Sequence, residues 1–171
     1  MRLLAFIGAL GIIVAIAAGA FFFGGFFDVS ASYDDNPVVK WALIHVRTAS
    51  IDRHASGTPP LKLDDPAVIQ GGARAFAKAG CANCHGAPGV EWAKFSEGLN
   101  PDPPDLKESA AGYEPAHIFW IIKNGIRMTG MPSFGKAGTA DNEIWQIAAF
   151  IKALPKVSEA DYKSWTAAAG Q

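Results

Sequence analysis

From Leu3 to Phe27 the chain runs 25 residues without a charged side chain, bounded by Arg2 and Asp28. As a helix rising about 1.5 Å per residue this stretch reaches roughly 37 Å, more than the roughly 30 Å hydrocarbon core of a bilayer. Arg2 and the amino terminus lie on one side, and Asp28, Asp34 and Asp35 on the other, so the positive-inside rule puts the start in the cytoplasm and exports the rest. A cleaved signal peptide is the competing reading, because Ala18-Gly19-Ala20 fits the small-x-small pattern of a cleavage site. Cleavage there leaves the aromatic stretch from Phe21 to Phe27 exposed on a soluble protein, a poor surface, so the retained anchor is preferred. Gly11, Ala15 and Gly19 recur at four-residue spacing, which suits close helix packing but is also ordinary span composition.

The remainder has room for one domain of ordinary size, since the whole chain is 171 residues. Half of all residues are hydrophobic and 18% are charged, which excludes wholesale disorder. With 15 Lys+Arg against 16 Asp+Glu the net charge is -1, and a nucleic-acid partner is not expected because the basic footprint that phosphates require is missing.

Helical patterns account for the exported part, and no strand pattern stands out. Asn36-Pro37 reads as a cap and first helical residue, followed by the stripe Val39, Ala42, Val46 and Ala49; this predicts a juxtamembrane helix over residues 37 to 55, with Lys40, His45, Arg47 and Arg53 on its other face. Gly57-Thr58-Pro59-Pro60 closes it. A helix over residues 66 to 79 begins after Asp64-Asp65 at Pro66, residues 86 to 112 read mostly as loop, and a further helix runs from about Pro115 to Asn124-Gly125. Thr139 or Asp141 is expected to cap the next helix, whose face is Ile144, Ile147, Ala148, Ile151 and Leu154. Ser158-Glu159-Ala160-Asp161 resembles a capping box for a short final helix with Tyr162 and Trp165. The expected division is 1-27 anchor, 28-63 juxtamembrane helix and linker, 64-157 main domain, and 158-171 short helix or tail.

Cys81-Ala82-Asn83-Cys84-His85 is C-x-x-C-H, the spacing that attaches a c-type haem: two thiols reach the two vinyl groups of one porphyrin, and the adjacent imidazole faces the iron. A zinc site needs about four ligands, and the chain has no third cysteine and no second His nearby. A thioredoxin-like dithiol wants a βαβ context, which the helical pattern does not provide. An electron-transfer haem takes a sixth ligand, commonly Met. Met131 stands in the turn-rich loop Thr129-Gly130-Met131-Pro132-Ser133-Phe134-Gly135 and is the preferred candidate, with Met128 expected to line the pocket. Trp92, Trp120 and Tyr113 are candidate pocket walls. His117 reads as a partly exposed structural residue, and His45 and His54 as residues without metal.

From about Pro66 to Leu154 the ordered motifs resemble the class I c-type cytochromes: C-x-x-C-H, then Pro104-Asp105-Leu106, then Met131-Pro132-x-Phe134 before a last helix. The variant most similar is the mono-haem domain related to subunit III of cbb3-type oxidases, found in bacterial membrane-bound electron carriers, although the lone motif departs from the di-haem subunit itself. The resemblance implies an all-α class I cytochrome c fold wrapped around one covalent haem c; the anchor and juxtamembrane helices that precede it lie outside the resemblance. It implies thioethers at Cys81 and Cys84, iron ligands at His85 and Met131, and a Pro104 carbonyl that accepts the Nδ1 proton of His85 and so fixes its tautomer. It also implies a crossing of the first and last domain helices in which Gly72 and Phe76 meet Trp145 and Ala148 or Ala149. Phe76 stands five residues before Cys81, where the family's aromatic usually stands four before.

The function so implied is a single-pass anchored cytochrome of the bacterial inner membrane. Its haem domain lies in the periplasm and passes single electrons between redox partners such as a dehydrogenase, a quinol-oxidising complex or a terminal oxidase. With both axial positions filled, an enzyme in its own right is not expected. The alternatives are a fixed cytochrome subunit of such a complex, and a haem sensor or peroxidase-like enzyme with a labile sixth ligand. Residues 91 to 114 carry six acids against two lysines, whereas residues 115 to 136 carry Lys123, Arg127 and Lys136 without an acid. That contrast suggests a basic rim beside Met131 which steers an acidic partner, or simply a solvated loop.

Overall fold

Proline at the first helical position starts three of the described helices, because the missing N–H would have no helical partner in any case. A computed structural model describes residues 1–167 and is helical throughout, apart from an isolated bridge between Ala87 and Val90. The first helix, α1 (Arg2–Phe23), buries no residue and has a mean hydropathy of 2.6 over its most apolar window; it is long and apolar enough to cross a membrane. Met1–Tyr33 form one compact unit and the chain from Asp34 onward forms another.

In the second unit, Asn36 accepts from the Val38 amide and Pro37 opens α2 (Pro37–His54). Asp65 does the same for Ala67 ahead of α3 (Pro66–Lys78). The single-turn α4 (Ala82–His85) carries the end of the cysteine motif. The expected loop from 86 to 112 contains 3-10 turns at Lys94–Gly98 and Ala110–Gly112 and the short α5 (Leu106–Ser109), capped by Asp105. Then come α6 (Pro115–Asn124), α7 (Asp141–Ala153), a 3-10 turn at Leu154–Lys156 and α8 (Glu159–Thr166), whose Ser158 hydroxyl accepts from the Asp161 amide as the capping-box reading requires. Residues 168 to 171 of the expected tail lie outside the described residues.

The core forms where α3, α6 and α7 meet, with α8 behind. Phe76 and Phe150 touch edge to face at 5.3 Å, Phe150 stacks on Tyr162 at 5.7 Å, and Phe119 stacks on Trp145 at 4.2 Å. Ile144 and Ile147 are fully buried beside them. Each such side chain contributes about 1.5–3 kcal/mol by leaving water. At the α3–α7 crossing a Cβ on Gly72 would lie 1.9 Å from the Gln146 carbonyl oxygen and 2.8 Å from the Phe150 Cβ, so only glycine permits the approach. The atoms nearest to Gly72 belong to Gln146 and Phe150, and Trp145 turns toward α6, where its ring stacks on Phe119.

Two further expectations give way to tertiary packing. The α2 stripe Val39, Ala42, Val46 and Ala49 is not its buried face; Ile51 is the buried residue, and α2 packs against α6 within the second unit. Neither Thr139 nor Asp141 caps α7. Ala140 occupies the cap without a side-chain bond, and the Asp141 carboxylate accepts from Lys123 Nζ at 2.7 Å.

Candidate functional site

A Gly80 backbone at φ 74° turns the chain out of α3, and the backbone from Cys81 to His85 then coils in one helical turn, with the His85 amide donating to the Cys81 carbonyl. That turn presents Cys81, Cys84 and His85 to one cavity of about 380 Å³. Its walls are Phe76 from α3, Ile118 and Ile122 from α6, Ile147 and Ile151 from α7, and Leu106 from α5. Met131, Pro104 and Tyr113 also line it. All five residues expected to bind the cofactor, Cys81, Cys84, His85, Pro104 and Met131, therefore meet at one place.

His85 Nδ1 donates to the Pro104 carbonyl oxygen at 2.9 Å. That bond leaves Nε2 with its lone pair, the form of imidazole that binds a metal. Burial lowers the His85 pKa from its ordinary value, outweighing the opposing influences of the Pro104 carbonyl and the nearby Asp105 carboxylate, so the ring is neutral at neutral pH. Burial likewise pushes the free Cys81 thiol up to about 12, and such a thiol stays protonated.

The Met131 loop is fastened to the end of α6. Phe134 and Gly135 amides donate to the Ile122 and Lys123 carbonyls, and Ser133 Oγ donates to the Lys123 carbonyl at 2.7 Å. These bonds satisfy carbonyls that a helix end leaves open. The Ile126 amide donates to the Met131 carbonyl at 3.1 Å, while Thr129 Oγ1 donates to Ile126 and accepts from the Met131 amide. Gly125, at φ 68°, permits the contact: a Cβ there would lie 2.7 Å from the backbone of Pro132 and Ser133.

Several expected neighbours stand elsewhere. Met128 does not line the pocket; it has φ 61° and is 87% exposed. Trp92 is half exposed and outside this cavity, and Trp120 stacks on His54 at 6.1 Å instead. Tyr113 alone of the three aromatics is a wall, and its carbonyl, with that of Ala110, accepts from Lys152 Nζ at 2.9 and 3.1 Å. Lys152 was not singled out in the sequence, because a lysine near a helix end reads as solvated. His117 is partly exposed beside Asp52, with Nε2 3.4 Å from the carboxylate. Lys123 is paired with Asp141 and lies 5.5 Å from the Phe119 ring centroid, so the basic rim reduces to Arg127 and Lys136.

The donor set fits haem. Among the described residues no three His, Cys, Asp or Glu side chains converge as a metal cage, whereas two thiols, one neutral imidazole and one thioether share an apolar cavity. Residues 67–151 match the family model described as cytochrome C oxidase, cbb3-type, subunit III. No curated protein and no solved structure matches the chain.

Proposed function

From the premise that residues 67–151 form a class I c-type cytochrome domain, of a family whose haem c is covalently bound, we propose that this chain is a membrane-anchored carrier of single electrons with one haem. The observation that carries the reading is the convergence of Cys81, Cys84, His85 and Met131 on one apolar cavity, with His85 Nδ1 bonded to Pro104. Cys81 and Cys84 would hold the group through thioethers, and His85 and Met131 would be the axial ligands. Bound there, haem supplies a one-electron ferric/ferrous couple. Pro104 keeps the His85 ring in one tautomer and orientation. The Thr129–Met131 bond and the strapping of the loop to α6 fix the thioether against displacement. The walls Phe76, Ile118, Ile122, Ile147 and Ile151 exclude water, which favours rapid one-electron exchange by limiting the rearrangement that accompanies a change of charge. With His85 and Met131 both holding the iron, no position would remain for substrate, so the role we read is transfer and not turnover.

The anchor reading is supported by α1 and by the charges flanking it, and on the positive-inside rule we read the amino terminus as cytoplasmic and the haem domain as periplasmic, at a bacterial inner membrane. Lipid contacts α1; the redox partners are proteins. A fixed place in an oxidoreductase complex is the second reading, favoured by the matched family's description as an oxidase subunit. Intact mass of the detergent-purified chain tests the proposal: one haem per chain is expected, and none in Cys81→Ala with Cys84→Ala. A redox titration should follow a single one-electron wave. An unmodified mass or two haems would overturn the reading, and a stable complex surviving purification would favour the fixed subunit.

A further inference from the structure

Helix α2 lies outside residues 67–151, yet its later turns form part of the cavity wall through Arg47 and Ile51. These two stand one turn apart, and His54 follows three residues later on the same face. Ile51 is 4% exposed. His54 stacks on Trp120 of α6, and Asp52 faces His117 of α6. The end of α2 is thus seated on α6, and Arg47 reaches the cavity from a helix held in place.

Among the described residues Arg47 is the only Lys or Arg lining the cavity, whose walls are otherwise mainly apolar. It is half-buried, and among the described residues its guanidinium has no hydrogen-bond or ion-pair partner. Asp102, the one acid on the cavity wall, is exposed and does not pair with it. A guanidinium at the wall of a mainly apolar cavity favours an anion beside it, and its planar fork matches a carboxylate. Haem is an apolar disc with two carboxylates on one edge. Resting on the reading that this cavity holds haem, we propose that Arg47 is the counter-charge of a haem propionate, which makes the juxtamembrane helix a working part of the cofactor site. A cation held there opposes the extra positive charge of the ferric state and raises the reduction potential. Arg47 is accordingly a positioning and tuning residue, and it joins the anchor segment to the electron-transfer site through the chain.

The test is the reduction potential of the full chain in detergent, for the native protein, Arg47→Gln, Arg47→Lys and Arg53→Gln, the last removing an exposed charge from the same helix. Each sample is first checked for covalent haem by intact mass. Arg47→Gln should shift the oxidised-to-reduced ratio about tenfold toward the oxidised form at fixed solution potential, equivalent to about 59 mV for a one-electron couple. Arg47→Lys should recover most of the shift and Arg53→Gln should show almost none. If Arg47→Gln does not accumulate, Arg47→Met, which keeps the apolar stem, carries the same expectation. A potential unchanged in the Arg47 variants, or moved equally by Arg53→Gln, would overturn the inference while leaving the haem reading intact. A native chain without haem would overturn both.

Discussion

Thr129 does more for the site than its small side chain suggests. Its hydroxyl donates to Ile126 and accepts from Met131, so a single atom braces the turn that delivers the thioether. Thr129→Val keeps the shape and removes both bonds; stability should fall by about 1–2 kcal/mol in denaturant titrations, and imidazole should displace Met131 at lower concentration. Unchanged midpoints and unchanged imidazole binding would show that the strapping of Phe134 and Gly135 to α6 suffices. At this scale the sequence was informative wherever a role depends on near neighbours. The cysteine spacing, Pro104-Asp105-Leu106 and the turn around Met131 identify residues that do share the cavity. Met128 was misplaced because a left-handed backbone at a methionine is not visible in a list of residue types, and it turns this side chain out to solvent.

The crossing of α3 and α7 sets the shape of the cavity, since Phe76, Ile147 and Ile151 all come from these two helices. Gly72 makes the crossing possible, and a Cβ there meets backbone, which cannot swing aside as a flexible side chain does. Gly72→Ala should therefore cost about 3 kcal/mol, toward the upper end for an overpacked core, whereas Gly98→Ala, with open space around its Cβ, should stay close to native. Thermal unfolding of the two variants checks this, and equal melting temperatures would contradict the packing described. Helix starts at Pro37, Pro66 and Pro115 were legible because a proline acts locally. The face that a helix buries is decided by whatever packs on it: α2 carries an apolar stripe, yet it docks through Ile51 and His54, and its Arg47 enters the cavity. The cap of α7 was misread for a similar reason, since Lys123, eighteen residues earlier in sequence, holds the Asp141 carboxylate.

For the whole molecule, α1 should make detergent necessary for release from membranes, and osmotic shock should leave the protein behind. A soluble chain beginning at Phe21 would show instead that the segment is cleaved after Ala20. With Lys123 neutralised by Asp141, any steering by the distal loop rests on Arg127 and Lys136. Reversing these two to Glu should slow electron transfer to an acidic partner at low salt and flatten its salt dependence, while Lys123→Glu should act mainly by disturbing α7. Rates indifferent to salt and to both reversals would mean apolar docking or a permanent complex. The central claim, that His85 and Met131 close both axial positions of a haem held at Cys81 and Cys84, is tested most directly by the ferric absorption spectrum of the detergent-solubilised full chain, compared with Met131→Ala and Met128→Ala. The account predicts a methionine-to-iron band near the red end in the native chain and in Met128→Ala, and its loss in Met131→Ala with the haem still covalently attached; a high-spin native spectrum, or a band lost only in Met128→Ala, would contradict it.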